Sequence, residues 1–199
     1  AKGECYLAAS DVTSPDWTFT ITPAALTASG SGTASGTFGG SLGSLSVSGL
    51  KAMLGTDEIS GRWTLSGGDI PNVGDTGKYM AEFTADVHPE YYKPLTAKVT
   101  LDIAKAQAPA MADTTLSCYW GASGEKSVSL AGLPENTGEI YPATIAVSDV
   151  NGILAVDSAR YSDGKLYFTL GENTEESIGN TAEITVTLPT QNYTDFTFR

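Results

Sequence analysis

The stretch GDTGKY (residues 74–79) contains the spacing Gly-x-x-Gly-Lys, which also occurs at the end of phosphate-binding loops. A complete loop of that kind needs a glycine five residues before the second one, and a serine or threonine after the lysine to hold magnesium. Asn72 and Tyr79 occupy these two positions. The sequence therefore predicts no nucleotide site here, but a tight turn that leads into a β-strand.

The same stretch also has a structural interpretation. Asp75 and Gly77 suit a tight turn, and Tyr79 begins a strand from which its hydroxyl can hydrogen-bond to the upstream backbone. The tyrosine corner of immunoglobulin-like (Ig-like) sandwiches has the same arrangement. Trp63 would be the bulky core residue of a neighbouring strand. Ala81 stands where antibody domains have a cysteine, so no disulfide between sheets is expected there. We expect structural roles for Trp63, Asp75, Gly77 and Tyr79.

Catalytic chemistry has little support. His88 is the only histidine, so any arrangement of serine or cysteine with histidine would have to use it. A carboxylate pair for glycoside hydrolysis could in principle come from acids in the second half of the chain, but nothing sets two of them apart. These acids are Glu135, Glu139, Glu172, Glu175 and Glu176. We predict no catalytic residue and a protein that is not an enzyme.

Metal binding has one partial motif. In SDVNGIL (residues 148–154), Asp149, Asn151 and Gly152 match part of a calcium loop. The glycine comes two positions early, and Arg160 stands where the loop needs its last glutamate. We interpret the segment as a turn and predict neither metal nor cofactor.

The two cysteines, Cys5 and Cys118, lie in different predicted units. No Cys-x-x-Cys pair exists, so zinc and redox chemistry are not indicated. Two separate side chains and a disulfide across the units both remain open from the sequence.

Aromatic residues are the remaining binding candidates. Trp17, Tyr91, Tyr92 and Tyr193 fall on predicted loops or strand edges, where rings can stack on sugars. The segment that contains Trp17 resembles the one that contains Tyr91 and Tyr92, since each has Asp-Val followed by proline, an acid and an aromatic residue. A repeated packing role is therefore the alternative for Trp17, Tyr91 and Tyr92.

The charge of the chain excludes some functions. Its formal net charge is −12 and its pI is about 4.3, which opposes binding to nucleic acid and to anionic membranes. No apolar run approaches the roughly 20 residues needed to span a bilayer, so no membrane insertion is expected.

Alternation of apolar and polar residues predicts an all-β protein. Residues 96–103 and 181–188 alternate most regularly, as expected for strands with one buried face and one exposed face. Weaker strands are predicted at residues 17–21, 44–50, 61–65, 78–84, 127–130, 143–147 and 165–170. No amphipathic helix is predicted.

The strands group into units. Residues 24–106 and 107–199 are predicted to form two domains, joined by a short linker at residues 104–113. Residues 1–23 are either the end of a preceding repeat or the first strands of the first domain. The glycine-rich segment at residues 29–44 is either a flexible linker or a strand pair at a sheet edge.

Residues 61–106 resemble the repeated Ig-like modules of large surface proteins in Gram-positive bacteria. Such modules have a Gly-x-Trp strand, a loop with proline, a strand opened by Gly-x-Tyr, a tyrosine loop, and a threonine-rich last strand. The matching residues are Gly61 with Trp63, Pro71, Gly77 with Tyr79, Tyr92, and Ile103 with Lys105 and Ala106. Residues 131–198 look like a companion β-sandwich module of the same proteins. The resemblance implies packing and turns, and no catalytic residues.

We therefore expect two tandem Ig-like β-sandwich domains in a secreted or wall-attached bacterial protein. Their expected role is non-catalytic, as a stalk, a spacer or an adhesive surface. The alternative is a carbohydrate-binding module or an accessory domain of a secreted glycoside hydrolase. The expected partners are a glycan or a host surface protein, together with neighbouring repeats of the same chain.

Overall fold

The computed structural model describes residues 21–199, and within this range the protein is all-β. The range contains no α-helix and only three short 3-10 turns, which lie at Leu42–Ser44, Pro89–Tyr91 and Glu175–Ser177. The prediction of an all-β fold is thus confirmed. Most of the strand predicted at residues 17–21, together with Trp17 and Cys5, lies outside the described residues.

The first half of the described chain forms one six-stranded sheet, which we call the N-terminal sheet. Its strand order is β3-β2-β1-β6-β5-β4. The sheet curls until β4 lies near β2, so that it is nearly closed like a barrel. The strands are β1 (Thr27–Thr37), β2 (Ser46–Leu54), β3 (Asp57–Ile59), β4 (Gly61–Leu65), β5 (Tyr79–Ala85) and β6 (Leu95–Ala104).

Strand β1 is glycine-rich and lies in the middle of this sheet. It pairs antiparallel with β2 and parallel with β6. Both alternatives for residues 29–44 are therefore wrong, because the segment contains a single strand and that strand lies inside the sheet, whereas a flexible linker or a strand pair at a sheet edge was expected. The inward positions are Gly32, Ala34 and Gly36, and large neighbours fill the space that their missing side chains leave. A Cβ atom at Gly32 would lie 2.7 Å from the Val99 Cγ1 atom. The alternation of buried and exposed positions is therefore present in β1, but its buried positions hold only glycine and alanine.

Strand β6 forms the other side of the same core. Ala97, Val99 and Ile103 are buried and Leu101 is partly buried, whereas the residues between them are exposed. This confirms the predicted strand at residues 96–103 and its buried face.

The second half of the described chain forms two three-stranded sheets, which we call the C-terminal sheet pair. Their orders are β7-β10-β9 and β12-β11-β8. Side chains of β10, β11 and β12 meet in one buried cluster, in which Leu188 and Phe196 are fully buried. The strands are β7 (Gly124–Ser129), β8 (Thr144–Ser148), β9 (Arg160–Ser162), β10 (Lys165–Leu170), β11 (Glu183–Leu188) and β12 (Phe196–Phe198).

The arrangement of sheets differs from the expected pair of two-sheet sandwiches in the first half. Because β1 hydrogen-bonds to β2 on one side and to β6 on the other, all six strands join one sheet rather than two. In the second half, two separate three-stranded sheets contribute side chains to one shared core.

We predict that Gly49 is required for the pairing of β1 with β2. Gly49 has a φ of +77°, and a Cβ atom there would collide with the carbonyl oxygen of Ser31, beside the irregularity between Gly30 and Thr33. We expect Gly49→Ala to lower the free energy of unfolding by about 2 kcal/mol or more, as measured by urea denaturation. Gly67→Ala is the control, because no atom lies within 4 Å of a Cβ there. Equal stability of the two variants would contradict this role.

Candidate functional site

The predicted turn before β5 is built around Asp75. Its Oδ1 atom accepts a hydrogen bond from the Gly77 backbone N–H at 2.6 Å. The Tyr79 ring folds back over this turn, so that a Cβ atom at Gly77 would lie 2.8 Å from the ring and 2.9 Å from the hydroxyl oxygen. Partial burial, the negative charge of Asp75 and a hydrogen bond to it raise the pKa of Tyr79 above its ordinary 10.0. The hydroxyl therefore faces a side chain of the turn, whereas the sequence suggested upstream backbone.

Trp63 lies on β4 directly opposite Phe83 of β5. The two rings are 5.2 Å apart, centroid to centroid, with their planes inclined at 50°. Trp63 is partly buried and packs against both hydrophobic clusters of the N-terminal sheet. It thus links the two clusters along the inside of the curled sheet.

The aromatic residues predicted from the sequence as binding candidates have different surroundings in the structure. Tyr91 is 58% exposed and stacks on the His88 ring at 4.5 Å, with the planes 10° apart. Tyr92 is partly buried against a core cluster and forms a β-bridge with Ala24. The two tyrosines therefore do not share one binding face, and Trp17 lies outside the described residues.

The partial calcium motif forms a turn that uses its own carboxylate. The Asp149 Oδ1 atom accepts a hydrogen bond from the Ile153 N–H at 2.9 Å, and Oδ2 accepts one from the Leu154 N–H at 2.6 Å. Between residues 21 and 199, no group of three or more histidine, cysteine or acidic side chains is placed to hold a metal ion. The carboxylate stabilises the backbone between β8 and β9.

The linker between the two halves is fastened along its first residues. The Ala106 N–H donates to the Asn192 carbonyl at 2.9 Å, and the Thr194 N–H donates to the Ala106 carbonyl at 2.8 Å. The Ala108 N–H donates to the Thr194 Oγ1 atom at 2.8 Å. The predicted strandless linker is therefore held against the loop that joins β11 to β12.

Asn192, on this loop, connects both halves of the molecule through its side chain. Its Oδ1 atom accepts a hydrogen bond from the Val73 N–H at 2.9 Å. Its Nδ2 atom donates to the Asn72 Oδ1 atom at 2.8 Å and to the Asn136 carbonyl at 3.0 Å. Asn192 is 0% exposed, and the side-chain amide has a partner for its oxygen and for both hydrogens.

The side chain of the neighbouring Gln191 also hydrogen-bonds to the Val73 backbone. Its Nε2 atom donates to the Val73 carbonyl at 2.8 Å, while its Oε1 atom accepts from the Glu139 N–H at 3.2 Å. The Val73 N–H is thus paired with the Asn192 side chain and the Val73 carbonyl with the Gln191 side chain. In a sheet, the backbone of a neighbouring strand would provide these two hydrogen bonds. Gly138 has a φ of +71° and leaves room for these amides, since a Cβ atom there would lie 2.7 Å from the Gln191 Oε1 atom.

Aromatic rings continue this contact into both cores. Phe38, which packs on a cluster of the N-terminal sheet, meets Tyr193 edge to face at a centroid distance of 5.6 Å. Tyr193 in turn lies 5.6 Å from the Phe196 ring, inside the cluster of the C-terminal sheet pair. We call the contact formed by Asn72, Val73, Gln191, Asn192, Tyr193 and Phe38 the junction.

A cleft of about 770 Å³ opens in the C-terminal sheet pair. Its floor consists of inward side chains that are themselves buried, such as Leu166, Phe168 and Phe198. Its rim carries Tyr119 and Trp120, which are 80% and 61% exposed.

A turn holds these two rim aromatics in place. The Ala122 N–H donates to the Tyr119 carbonyl at 3.1 Å, and the Gly121 N–H donates to the Asn173 carbonyl at 3.1 Å. Gly121 has a φ of +78°, which glycine adopts without strain. The rings are therefore presented on a backbone that is hydrogen-bonded to the segment after β10.

Neither these aromatics nor the junction amides were predicted from the sequence as functional residues. The one available signal for the cleft was an adjacent Tyr-Trp pair before a glycine in a segment without strand periodicity. Tyr193 was one of the binding candidates predicted from the sequence, and in the structure it is partly buried at the junction.

No known protein family model matches the sequence, and no curated protein matches it. Among residues 21–199, no helix has the length and apolar character needed to cross a membrane.

We predict that Asp75 adds to the rise in the pKa of Tyr79 that partial burial causes. Because its folded pKa is raised, the tyrosine ionises first in the unfolded chain, and the stability it contributes is lost as pH rises above about 10. Asp75→Asn should lower the Tyr79 pKa and flatten this loss, as followed by ultraviolet titration and urea denaturation between pH 8 and 11. Tyr79→Phe identifies the transition. An unchanged titration in Asp75→Asn would disprove the coupling.

We also predict that the Asp149 turn is independent of metal. Asp149→Ala should lower the free energy of unfolding by about 2 kcal/mol, because two backbone N–H groups lose their acceptor. Addition of calcium or of a chelator should leave the melting temperature of the unmodified protein unchanged. A rise in melting temperature with calcium that Asp149→Ala abolishes would point to an ion at this turn instead.

Proposed function

We propose that this chain is a non-catalytic spacer or stalk element of a secreted or cell-surface bacterial protein. The observation that carries the proposal is the junction, in which side-chain amides and aromatic rings fix one β unit against the next. A spacer works by keeping its ends apart, and two units do this best when the contact between them resists bending. Hydrogen bonds from buried amides depend on direction and so oppose rotation more strongly than apolar contact alone.

The finer proposal is that both units are variants of the Ig-like sandwich, the first of them a variant in which β1 joins the strands into one sheet by pairing with both β2 and β6. In the N-terminal sheet, the Asp75 turn under Tyr79 and the partly buried Trp63 support this assignment. In the C-terminal sheet pair, two three-stranded sheets around one core support it. An extracellular setting agrees with an acidic surface and with the resemblance to bacterial surface modules, whose neighbouring repeats would be the natural partners of this chain.

A second candidate function is recognition of a glycan, either as an adhesive surface or as an accessory domain of a glycoside hydrolase. The specific observation in its favour is the cleft with Tyr119 and Trp120 on its rim. Spacing and binding are compatible, because the cleft and the junction share no residue.

We predict that Asn192→Asp uncouples the two units. The substitution keeps the shape of the side chain but removes both donors, so that the Asn72 side-chain oxygen and the Asn136 carbonyl lose their partner. We expect the free energy of unfolding to fall by about 3 kcal/mol, and a single thermal transition to separate into two in calorimetry.

Asn151→Asp is the matched control, because Asn151 is exposed in a turn far from the junction in sequence. It should change the free energy of unfolding by less than about 0.5 kcal/mol and keep a single transition. Two independent transitions in the unmodified protein would count against a rigid spacer.

A further inference from the structure

We propose that the cleft rimmed by Tyr119 and Trp120 binds a neutral oligosaccharide. The inference develops the second of the two proposed functions and does not depend on the spacer role. It assigns a ligand class to a site that the sequence did not reveal.

The cleft offers a ligand the surfaces at its mouth rather than its floor. The apolar floor is almost inaccessible, since Leu166 and Phe168 are each 7% exposed and Phe198 is 4% exposed. The accessible apolar surface is therefore mainly at the rim, where Leu116 and Ile178 are 48% and 63% exposed beside the two aromatics. A ligand at this site rests on rings at the mouth of the cleft and does not enter the core.

Polar side chains accompany the aromatic rings of the cleft. Asp113, Asn173, Asn180, Thr181 and Glu183 also line the cleft, and they offer carboxylate, amide and hydroxyl groups. Sugar rings have C–H faces that stack on aromatic rings and hydroxyl edges that hydrogen-bond to such groups. The mixture of flat apolar surface and polar rim is typical of small-molecule sites that fix orientation with a few polar contacts.

The charge around the cleft determines which sugars can approach it. Asp113 and Glu183 place negative charge at the cleft, and the whole chain has a net charge of −12. Arg199 lines the cleft too, but its Nε atom lies 4.0 Å from a Glu183 carboxylate oxygen. Anionic polysaccharides are therefore repelled, and neutral sugars are preferred.

The length of the ligand follows from the extent of the cleft. A second depression adjoins the cleft and shares Leu170 and Asn173 with it. The turn at residues 119–122 contributes to both, through Tyr119 and Trp120 on one side and Gly121 and Ala122 on the other. An extended ligand can occupy both depressions, so a chain of several sugars should bind better than one sugar.

The rim is also held ready for binding. Thr174 and Ser177 hydrogen-bond to each other at the turn that precedes Ile178, in a reciprocal capping arrangement. The Asn173 Nδ2 atom donates to the Gly171 carbonyl at 3.2 Å. A site that is ordered before binding loses less conformational entropy when the ligand arrives.

The test uses the whole chain and a panel of neutral oligosaccharides of four to six glucose, xylose, mannose or galactose units. Titration calorimetry gives the affinity, and tryptophan fluorescence reports contact with Trp120. We expect saturable binding to at least one of these oligosaccharides, about tenfold or more weaker in Trp120→Ala, and weaker binding of the corresponding monosaccharide. Trp120→Phe should keep part of the affinity, because it keeps a ring.

Tyr91→Ala is the matched control, since Tyr91 is similarly exposed but lies in the 3-10 turn between β5 and β6, in the other half of the chain. It should leave binding unchanged. The proposal is overturned if no neutral oligosaccharide binds, if only an anionic polysaccharide or a peptide binds, or if binding survives both Trp120→Ala and Tyr119→Ala. None of these results would alter the unfolding of Asn192→Asp, so failure of the ligand inference remains separate from failure of the spacer proposal.

Discussion

The buried amide of Asn192 is the interaction on which the relation between the two halves depends. It receives a backbone N–H from one half and donates to both halves, at distances between 2.8 and 3.0 Å. A buried amide is costly when its partners are missing and directional when they are present. Replacing it with an apolar residue of similar size would leave the Val73 N–H and the Asn136 carbonyl without this partner and would remove the preference for one angle between the units.

The supporting structure around Asn192 explains why this amide can work. Gln191 pairs with the Val73 carbonyl, and Gly138 leaves space for both amides. Tyr193 and Phe38 then extend the polar contact into the two hydrophobic cores. Hydrogen bonds thus determine the orientation, while the aromatic rings supply the apolar area that makes the contact stable.

Much of the strand content could be predicted from two-residue alternation, because strands such as β6 and β11 have large apolar residues on one face only. The position of β1 could not be predicted, since its inward residues are glycine and alanine and its fit depends on the large side chains of β2 and β6. The junction could not be predicted from the sequence either. Asn192 and its partners in the first half are separated by 119 and 120 positions in the sequence. A single asparagine in a loop also belongs to no alternating pattern that would show it to be buried.

The cleft was missed for a related reason. Tyr119 and Trp120 belong to a segment without regular strands, so only the folded chain shows that their rings stand beside a cavity. Conversely, Tyr91 and Tyr92 are adjacent in sequence but face different surroundings, one solvent and one core. Neighbouring aromatic residues therefore indicate a binding face only after their burial is known.

The most direct test of a fixed junction is the measurement of residual dipolar couplings for the backbone amides of the whole chain in solution. We predict that couplings from residues 27–104 and from residues 124–198 fit one alignment tensor when both units keep the orientation of this structure. Two tensors of different magnitude would show that the units move independently, and would contradict the central role of Asn192.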